Sequence, residues 1–315
     1  MPAMSSRALD RAFPAFLVAM SFAVLIAPWV ACAQSAPPAA GAAHPLSDAE
    51  MRERGAKLAA NQHKNDQALD QYERVEHELD TTGGAHPRTL VDKKTRLVPN
   101  GAGTTKLLLE ESGRAVSSDD YRRELQTWFS VLQFTTNAND ERMKSASAKY
   151  AKKQQDRAKS IDAMQNAFIP KWLSRETVDG HDCDVIQLQP DPNFHPHSIL
   201  EGVMPHVLAK IWIDHDAVQL VRVEAQITSD VWVGGGVLGK LYKGGTFAML
   251  QTEVSPGIWL PERYQFDFSG REFLFSVEKH ESIEASQYRY IGTAKDAMSV
   301  AQAELASGKP AAGDP

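Results

Sequence analysis

Several groups of residues in this chain are of types that do chemistry. The metal-capable ones are His181-Asp-Cys-Asp184, His195-Pro-His197, His206 and Asp214-His-Asp216. Zinc needs three or four such groups converging at ~2.0–2.3 Å. None lies at i, i+4 on an expected helix, and no Cys pair exists. They read as loop histidines between strands, so no metal and no cofactor is expected; a metal-assisted hydrolase is the enzyme that a converging His/Asp cluster would support. Gly234-Gly-Gly-Val-Leu-Gly-Lys240 has most of a phosphate-binding loop, but Leu241 stands where a hydroxyl must reach Mg²⁺. A Gly-rich bend or bulge in a curved sheet fits it better. Cys183 lies between Asp182 and Asp184, and two carboxylates oppose thiolate formation, the reverse of what a nucleophile needs. No Gly-x-Ser-x-Gly elbow is present. Of the carboxylate pairs, Glu110-Glu111 and Asp119-Asp120, the second suits a helix N-terminus. An enzyme is not expected.

Two further patterns point to binding instead. Ile211, Val223, Phe247, Met249, Tyr264, Phe266, Phe273 and Phe275 fall on the apolar side of alternating segments and are the candidates to line a cavity. A packed core shows the same alternation, because burying such side chains favours folding by ~1.5–3 kcal/mol each; the alternation leaves the two open. The run from Arg142 to Lys159 includes Lys149, Lys152, Lys153 and Arg157, mingled with Met143 and Tyr150. It reads as a solvated helix face, or as a contact for anionic headgroups or an acidic partner.

The elements that must position these residues follow from periodicity. Ser47-Asp-Ala-Glu50 is a capping box. Behind it Met51, Leu58, Ala59, Leu69, Tyr72, Val75 and Leu79 predict helix over residues 47–80, interrupted near Asn61–Asn65. Arg88–Val91 and Lys106–Glu111 are short strand candidates. Helix resumes from Ser118, with an apolar stripe of Leu125, Trp128, Phe129, Leu132 and Phe134, and a long solvated helix covers 139–168. Residues 169–292 read as antiparallel sheet. In one strand Val221, Val223, Ala225 and Ile227 point one way while Arg222, Glu224 and Gln226 point the other. A hairpin is expected around Val254-Ser-Pro-Gly257. The fold class is α+β: a curved antiparallel sheet with one apolar face, covered by helices.

Composition and the N-terminus bound the setting. Of 315 residues, 43% are apolar and 23% charged, with 34 Lys+Arg against 40 Asp+Glu. The acidic balance argues against a general nucleic-acid binder, which needs a concentrated basic surface. Arg7 and Arg11, the apolar run Phe16–Ala27 and Ala31-Cys-Ala33 have the order of a secretory signal peptide over residues 1–33. Acylation of Cys32, giving an outer-membrane lipoprotein, is the alternative to a periplasmic product. Residues 34–46 are small and Pro-rich, a flexible tether. A single domain is expected over 47–303, with 304–315 as a frayed tail.

Ile211-Trp-Ile-Asp214, Gln219–Glu224, Gly239-Lys-Leu-Tyr-Lys-Gly244, Trp259-Leu-Pro261, Ser269-Gly-Arg271 and Tyr288-Arg-Tyr290 occur in that order. Together with Glu110–Ser117 and Ser174–Gly180, this set resembles a group of exported bacterial proteins with the LolA/LolB-like lipoprotein-carrier fold, the outer-membrane lipoprotein-sorting proteins. The resemblance implies an incomplete β-barrel wrapped around helices, with an apolar interior that holds lipid chains and needs no cofactor. The partner it implies is a lipid or lipoprotein, with peripheral membrane contact. A scaffold or sensor for an envelope protein partner is the second reading.

Overall fold

The structure is a computed structural model that describes residues 45–83, 86–137, 139–198, 201–233, 239–272 and 275–307. The expected signal peptide, most of the tether, Gly234–Leu238 and Phe273 lie outside these residues.

Four helices are described: α1 (Asp48–Leu69), α2 (Ser118–Thr135), α3 (Glu141–Ala167) and α4 (Ala294–Ser307). The strands are β1 (Tyr72–Thr82), β2 (Thr89–Pro99), β3 (Thr104–Glu111), β4 (Arg114–Ala115), β5 (Phe168–Val178), β6 (His181–Pro190), β7 (Val207–Asp214), β8 (Leu220–Ile227), β9 (Val231–Val233), β10 (Gly239–Leu241), β11 (Thr246–Ser255), β12 (Ile258–Glu272) and β13 (Phe275–Tyr290). They pair antiparallel in one sheet, in the order β4-β3-β2-β1-β13-β12-β11-β8-β7-β6-β5, with β9 and β10 as a flap on β12. The two ends, β4 and β5, do not pair with each other. The sheet is therefore an incomplete barrel, covered by helices, as the alternation and the family resemblance imply.

Register carries the sheet's chemistry. One cross-strand row runs Trp172, Ile186, Ile211, Val223, Met249, Tyr264, Ile283, Glu78. The next runs Pro170, Leu188, Ala209, Ala225, Phe247, Phe266, Glu281, Asp80. Because side chains alternate with period two, each row lies on one face. That face is apolar from β5 to β12 and turns acidic at β13 and β1. One detail departs from simple alternation. A bulge between Trp212 and Ile213 of β7 places two residues of β8 against one. Val221 is thereby turned to the other face, into a cluster with Cys183, Val185, Trp212 and Trp259.

The helix expected over 47–80 ends at Leu69, and Tyr72–Leu79 forms β1 instead. Those residues pair with β13 on one side and β2 on the other, and two ladders outweigh a weak local helical spacing. Nor is the helix broken near Asn61–Asn65. There Gln62 and Asn65 are buried and bonded to the sheet, so the polar side chains that weaken the helical pattern are what attach it.

At the other end of the sheet, α2 and α4 cover β2 and β3 through Val98, Leu107, Trp128, Leu132, Ala297 and Ala301. The frayed tail expected from residue 304 is corrected here: α4 runs to Ser307, and the Glu304 side chain is only 1% exposed. Both its oxygens accept from Arg96, at 2.7 and 2.8 Å. Arg96 also donates to Glu73 at 2.5 Å and to the Tyr121 hydroxyl at 2.9 Å. A small, Ala-rich helix thus docks through one buried ion pair. Removing Glu304 takes away two charge-assisted hydrogen bonds and leaves Arg96 with Glu73 as its carboxylate. Glu304→Ala is expected to lower stability by about 2 kcal/mol in urea unfolding, with α4 losing amide protection first.

Candidate functional site

A cavity of about 330 Å³ lies between the apolar rows of the sheet and two helices. Its floor is Ile186 and Leu188 of β6, Val207, Ala209, Ile211 and Ile213 of β7, Leu220 and Val223 of β8, and Phe247 and Met249 of β11. The roof is the face Met51, Gly55, Ala56, Leu58, Ala59 and Gln62 of α1, together with Ser160, Ile161 and Met164 of α3. Val203 and Met204, in a short 3-10 turn over Glu201–His206, and Phe168 and Pro170 of β5 complete the wall. The room exists because α1 presents small residues where a core helix would present large ones. A Cβ built on Gly55 meets nothing within 4 Å.

Four of the eight cavity candidates from the sequence, Ile211, Val223, Phe247 and Met249, line this space. Tyr264 and Phe266 pack on the same cluster one strand further on, with ring centroids 6.3 and 4.8 Å from Phe247. Phe273 and the side chain of Phe275 lie outside what is described. Periodicity marks Met51, Leu58 and Ala59 of the roof as one helical face, but not Gly55 and Ala56, which give no apolar signal. Nor did it mark β5, whose Phe168 and Pro170 follow directly on α3.

What holds the roof down is polar. Asn61 donates to the Val218 carbonyl at 2.9 Å. Gln62 and Gln251 face each other at 3.3 Å, both buried. Asn65 donates to Gln219 at 3.0 Å and accepts from the Trp259 backbone N–H at 3.1 Å. Arg157 of α3 pairs with Asp66 and Asp70 at 3.4 and 3.3 Å, tying the two helices together. Nearer the start of α1, Arg54 donates to the His215 carbonyl and pairs with Asp184 at 3.1 Å.

Asp184, 0% exposed, also accepts from His215 Nδ1 at 2.8 Å and from Trp172 Nε1 at 3.1 Å. Burial alone would raise its carboxyl, but the His215 and Trp172 hydrogen bonds and the Arg54 charge hold it below its ordinary value.

The other candidates separate. His181 pairs with Asp214 at 3.1 Å, His206 meets Ser229, and His195 and His197 are exposed; they do not converge. Among the described residues, the group whose carboxylates approach a metal-holding arrangement is Glu78, Asp80 and Glu281. There the Lys279 ammonium already stands 2.8 Å from Asp80 and 2.7 Å from Glu281. Cys183 is buried, its thiol pushed up to about 12 by burial and by Asp214 and Asp182. Lys240 pairs with Asp230 at 2.6 Å and lies over the Trp232 ring, a surface role. Lys149, Lys152 and Lys153 are exposed on α3.

Fold and site together define an open half-barrel with a helical roof over an apolar cavity. No family model and no curated protein sequence matches this chain. Several solved structures are similar. A domain from Vibrio parahaemolyticus described as outer membrane lipoprotein-sorting is 9% identical, covering 75% of this chain and 93% of its own, with a TM-score of 0.32. A LolA superfamily protein from Nitrosomonas europaea is also 9% identical, covering 75% and 92%, with a TM-score of 0.29. A DUF1329 family protein from Desulfovibrio piger is 14% identical, covering 76% and 92%, with a TM-score of 0.29.

The Asp184 cluster yields a prediction with a definite sign. A carboxyl held low in the folded state contributes stability above its unfolded pKa, and that contribution is lost as pH falls through the folded value. Hydrogen exchange of residues 48–60 is therefore expected to accelerate as pH drops below about 4, after correction for intrinsic rates. Asp184→Asn should produce the same local loosening at neutral pH, worth about 1–3 kcal/mol, and leave α2 and α4 protected. Unchanged exchange in α1 would show that the cluster does not hold the roof.

Proposed function

We propose that this protein is an exported cell-envelope carrier that binds a hydrophobic ligand, a lipid acyl chain or lipoprotein, without covalent chemistry. The observation that supports it is the cavity. Apart from Arg52, Gln62, Ser160 and Gln165, every lining residue is apolar or glycine, and none carries a carboxylate. Its volume is that of a small-molecule site. Binding would be partition: each methylene leaving water for this lining contributes ~0.8 kcal/mol. The α1 roof, held by hydrogen bonds that water can replace, is the element that moves for exchange. The signal-peptide pattern of residues 1–33 supports export. The exposed Lys149, Lys152 and Lys153 suit contact with an anionic bilayer surface during delivery, whereas Arg157 is engaged with α1.

Native mass spectrometry of protein taken from its own envelope should show a bound lipid, and delipidated protein should take up a fluorescent fatty acid. Repeated absence of both would defeat the proposal. Gly55→Leu gives a sharper check. Its Cβ has open space, and replacing a mid-helix glycine gains up to about 1 kcal/mol of helix propensity. The variant is expected to be at least as stable as the parent in thermal unfolding, yet to take up at least about tenfold less probe, because its side chain occupies the guest's volume. Full uptake by a folded Gly55→Leu protein would place the ligand elsewhere.

A further inference from the structure

The cavity also constrains the kind of guest, and the following rests on the carrier reading. Its volume of about 330 Å³ is at the low end of the ~300–1,000 Å³ span of single small-molecule sites. One aliphatic chain fills such a space; the two or three chains of a diacyl or triacyl lipid do not fit beneath the seated roof.

The direction of entry follows from exposure along the lining. Arg52, Ala56, Gln165 and Pro170 are exposed and mark the mouth, while Val203, Val207, Phe247 and Met249 are buried and mark the closed end. The mouth therefore opens between the first half of α1, the last turns of α3 and the start of edge strand β5. A chain entering there buries its tail and leaves its head at the rim.

One charged residue lines the cavity, and it is at that rim. Arg52 makes no ion pair or hydrogen bond with any side chain among the described residues. The neighbouring Arg54 is committed to Asp184 and the His215 carbonyl. Of the exposed lysines of α3, Lys149, Lys152 and Lys153 are distant from the mouth, whereas Lys159 stands beside the lining residue Ser160. Lys149 and Lys153 precede Met164 by 15 and 11 residues on one helix, or about 22 and 16 Å at ~1.5 Å per residue.

We propose that the guest is a single-chain aliphatic amphiphile with an anionic head, a carboxylate or a monoacyl phosphate, seated tail-inward with its head on the Arg52 guanidinium. A guanidinium presents a planar fork that matches either oxyanion.

The test is a set of affinities measured on delipidated protein by displacement of a fluorescent alkyl probe, below micelle concentrations. The ligands are palmitate, hexadecanol, hexadecyltrimethylammonium, monopalmitoyl phosphatidate, dipalmitoyl phosphatidate and a triacylated lipopeptide. Palmitate or the monoacyl phosphate is expected to bind about three- to tenfold more tightly than hexadecanol, with the ammonium weaker still. The stronger of the two acids identifies the head as carboxylate or phosphate. Arg52→Gln should erase the gap between acid and alcohol by weakening the acid. Replacing Lys149, Lys152 and Lys153 together by Gln should preserve that gap. Native mass spectra should show one chain per protein.

Equal affinity for acid and alcohol, a gap that survives Arg52→Gln, or tighter binding of the diacyl or triacyl ligands would each overturn this assignment while leaving the carrier reading standing. Failure of every ligand, hexadecanol and the probe included, would remove the carrier reading itself.

Discussion

The arrangement depends on α1 being held above the sheet mainly by side-chain hydrogen bonds and ion pairs, with Leu58 as its large apolar contact to the core. Asn61, Gln62 and Asn65 reach strand ends and loops from one side of the helix, and Arg54 reaches Asp184 from its N-terminal half. These contacts fix a separation between helix and sheet. Along the same helix, Gly55, Ala56 and Ala59 are too small to span it. A helix seated by Leu and Phe would descend until the space closed, since close packing is the default of a protein interior. A polar attachment at a set height, with small residues between, leaves a hollow that apolar contacts alone would eliminate.

The same choice makes α1 the mobile part. A hydrogen bond between protein groups contributes only about 0.5–1.5 kcal/mol net, because water offers a replacement when it breaks. Lifting α1 exchanges such bonds for hydration, breaks the Arg54–Asp184 pair and uncovers Met51, Leu58 and Ala59. α2 and α4 are attached the other way. Trp128, Leu132, Ala297 and Ala301 are fully buried, and Arg96 and Glu304 are buried with them. Freeing α4 would expose a closely packed apolar cluster and remove Glu304 from the buried Arg96, a steeper cost. The two ends of one sheet thus differ in how their helices are fastened, and this separates a rigid frame from a movable roof.

How much of this was legible in the sequence follows from which signals are local. The alternation of Val223, Ala225 and Ile227 and the hairpin through Val254–Gly257 were readable because period two needs no knowledge of the partner strand. The capping box at Ser47 and Glu50 was equally plain, and forms as read. Tyr72–Leu79 was misread because its spacing also fits a helix, and only pairing to β2 and β13 decides it. Val221 shares the period of its neighbours but is turned over by a bulge opposite Trp212. The space under the roof was invisible for a different reason: a cavity is made by what is missing. Gly55 and Ala56 carry meaning only once the sheet stands opposite them.

The limit of the hollow is set by the register rows. The inward face offers a guest apolar surface as far as Phe247 and Met249, Tyr264 and Phe266 fill the next positions of the two rows, and beyond Phe266 the partners are Glu281 and Asp80. Nearby, Arg74 is buried with one guanidinium nitrogen unpartnered and pairs with Glu76 at 2.7 Å. A methylene gains by leaving water only where its new surroundings are also apolar. Past Tyr264 a chain would have to displace buried ion pairs, Lys279 with Asp80 and Glu281 and Arg74 with Glu76, and leave their charges unpaired. The guest space therefore ends against the aromatic side chains Tyr264 and Phe266, and two cross-strand rows of one sheet supply the apolar lining, its aromatic end wall and the charged strands behind that wall.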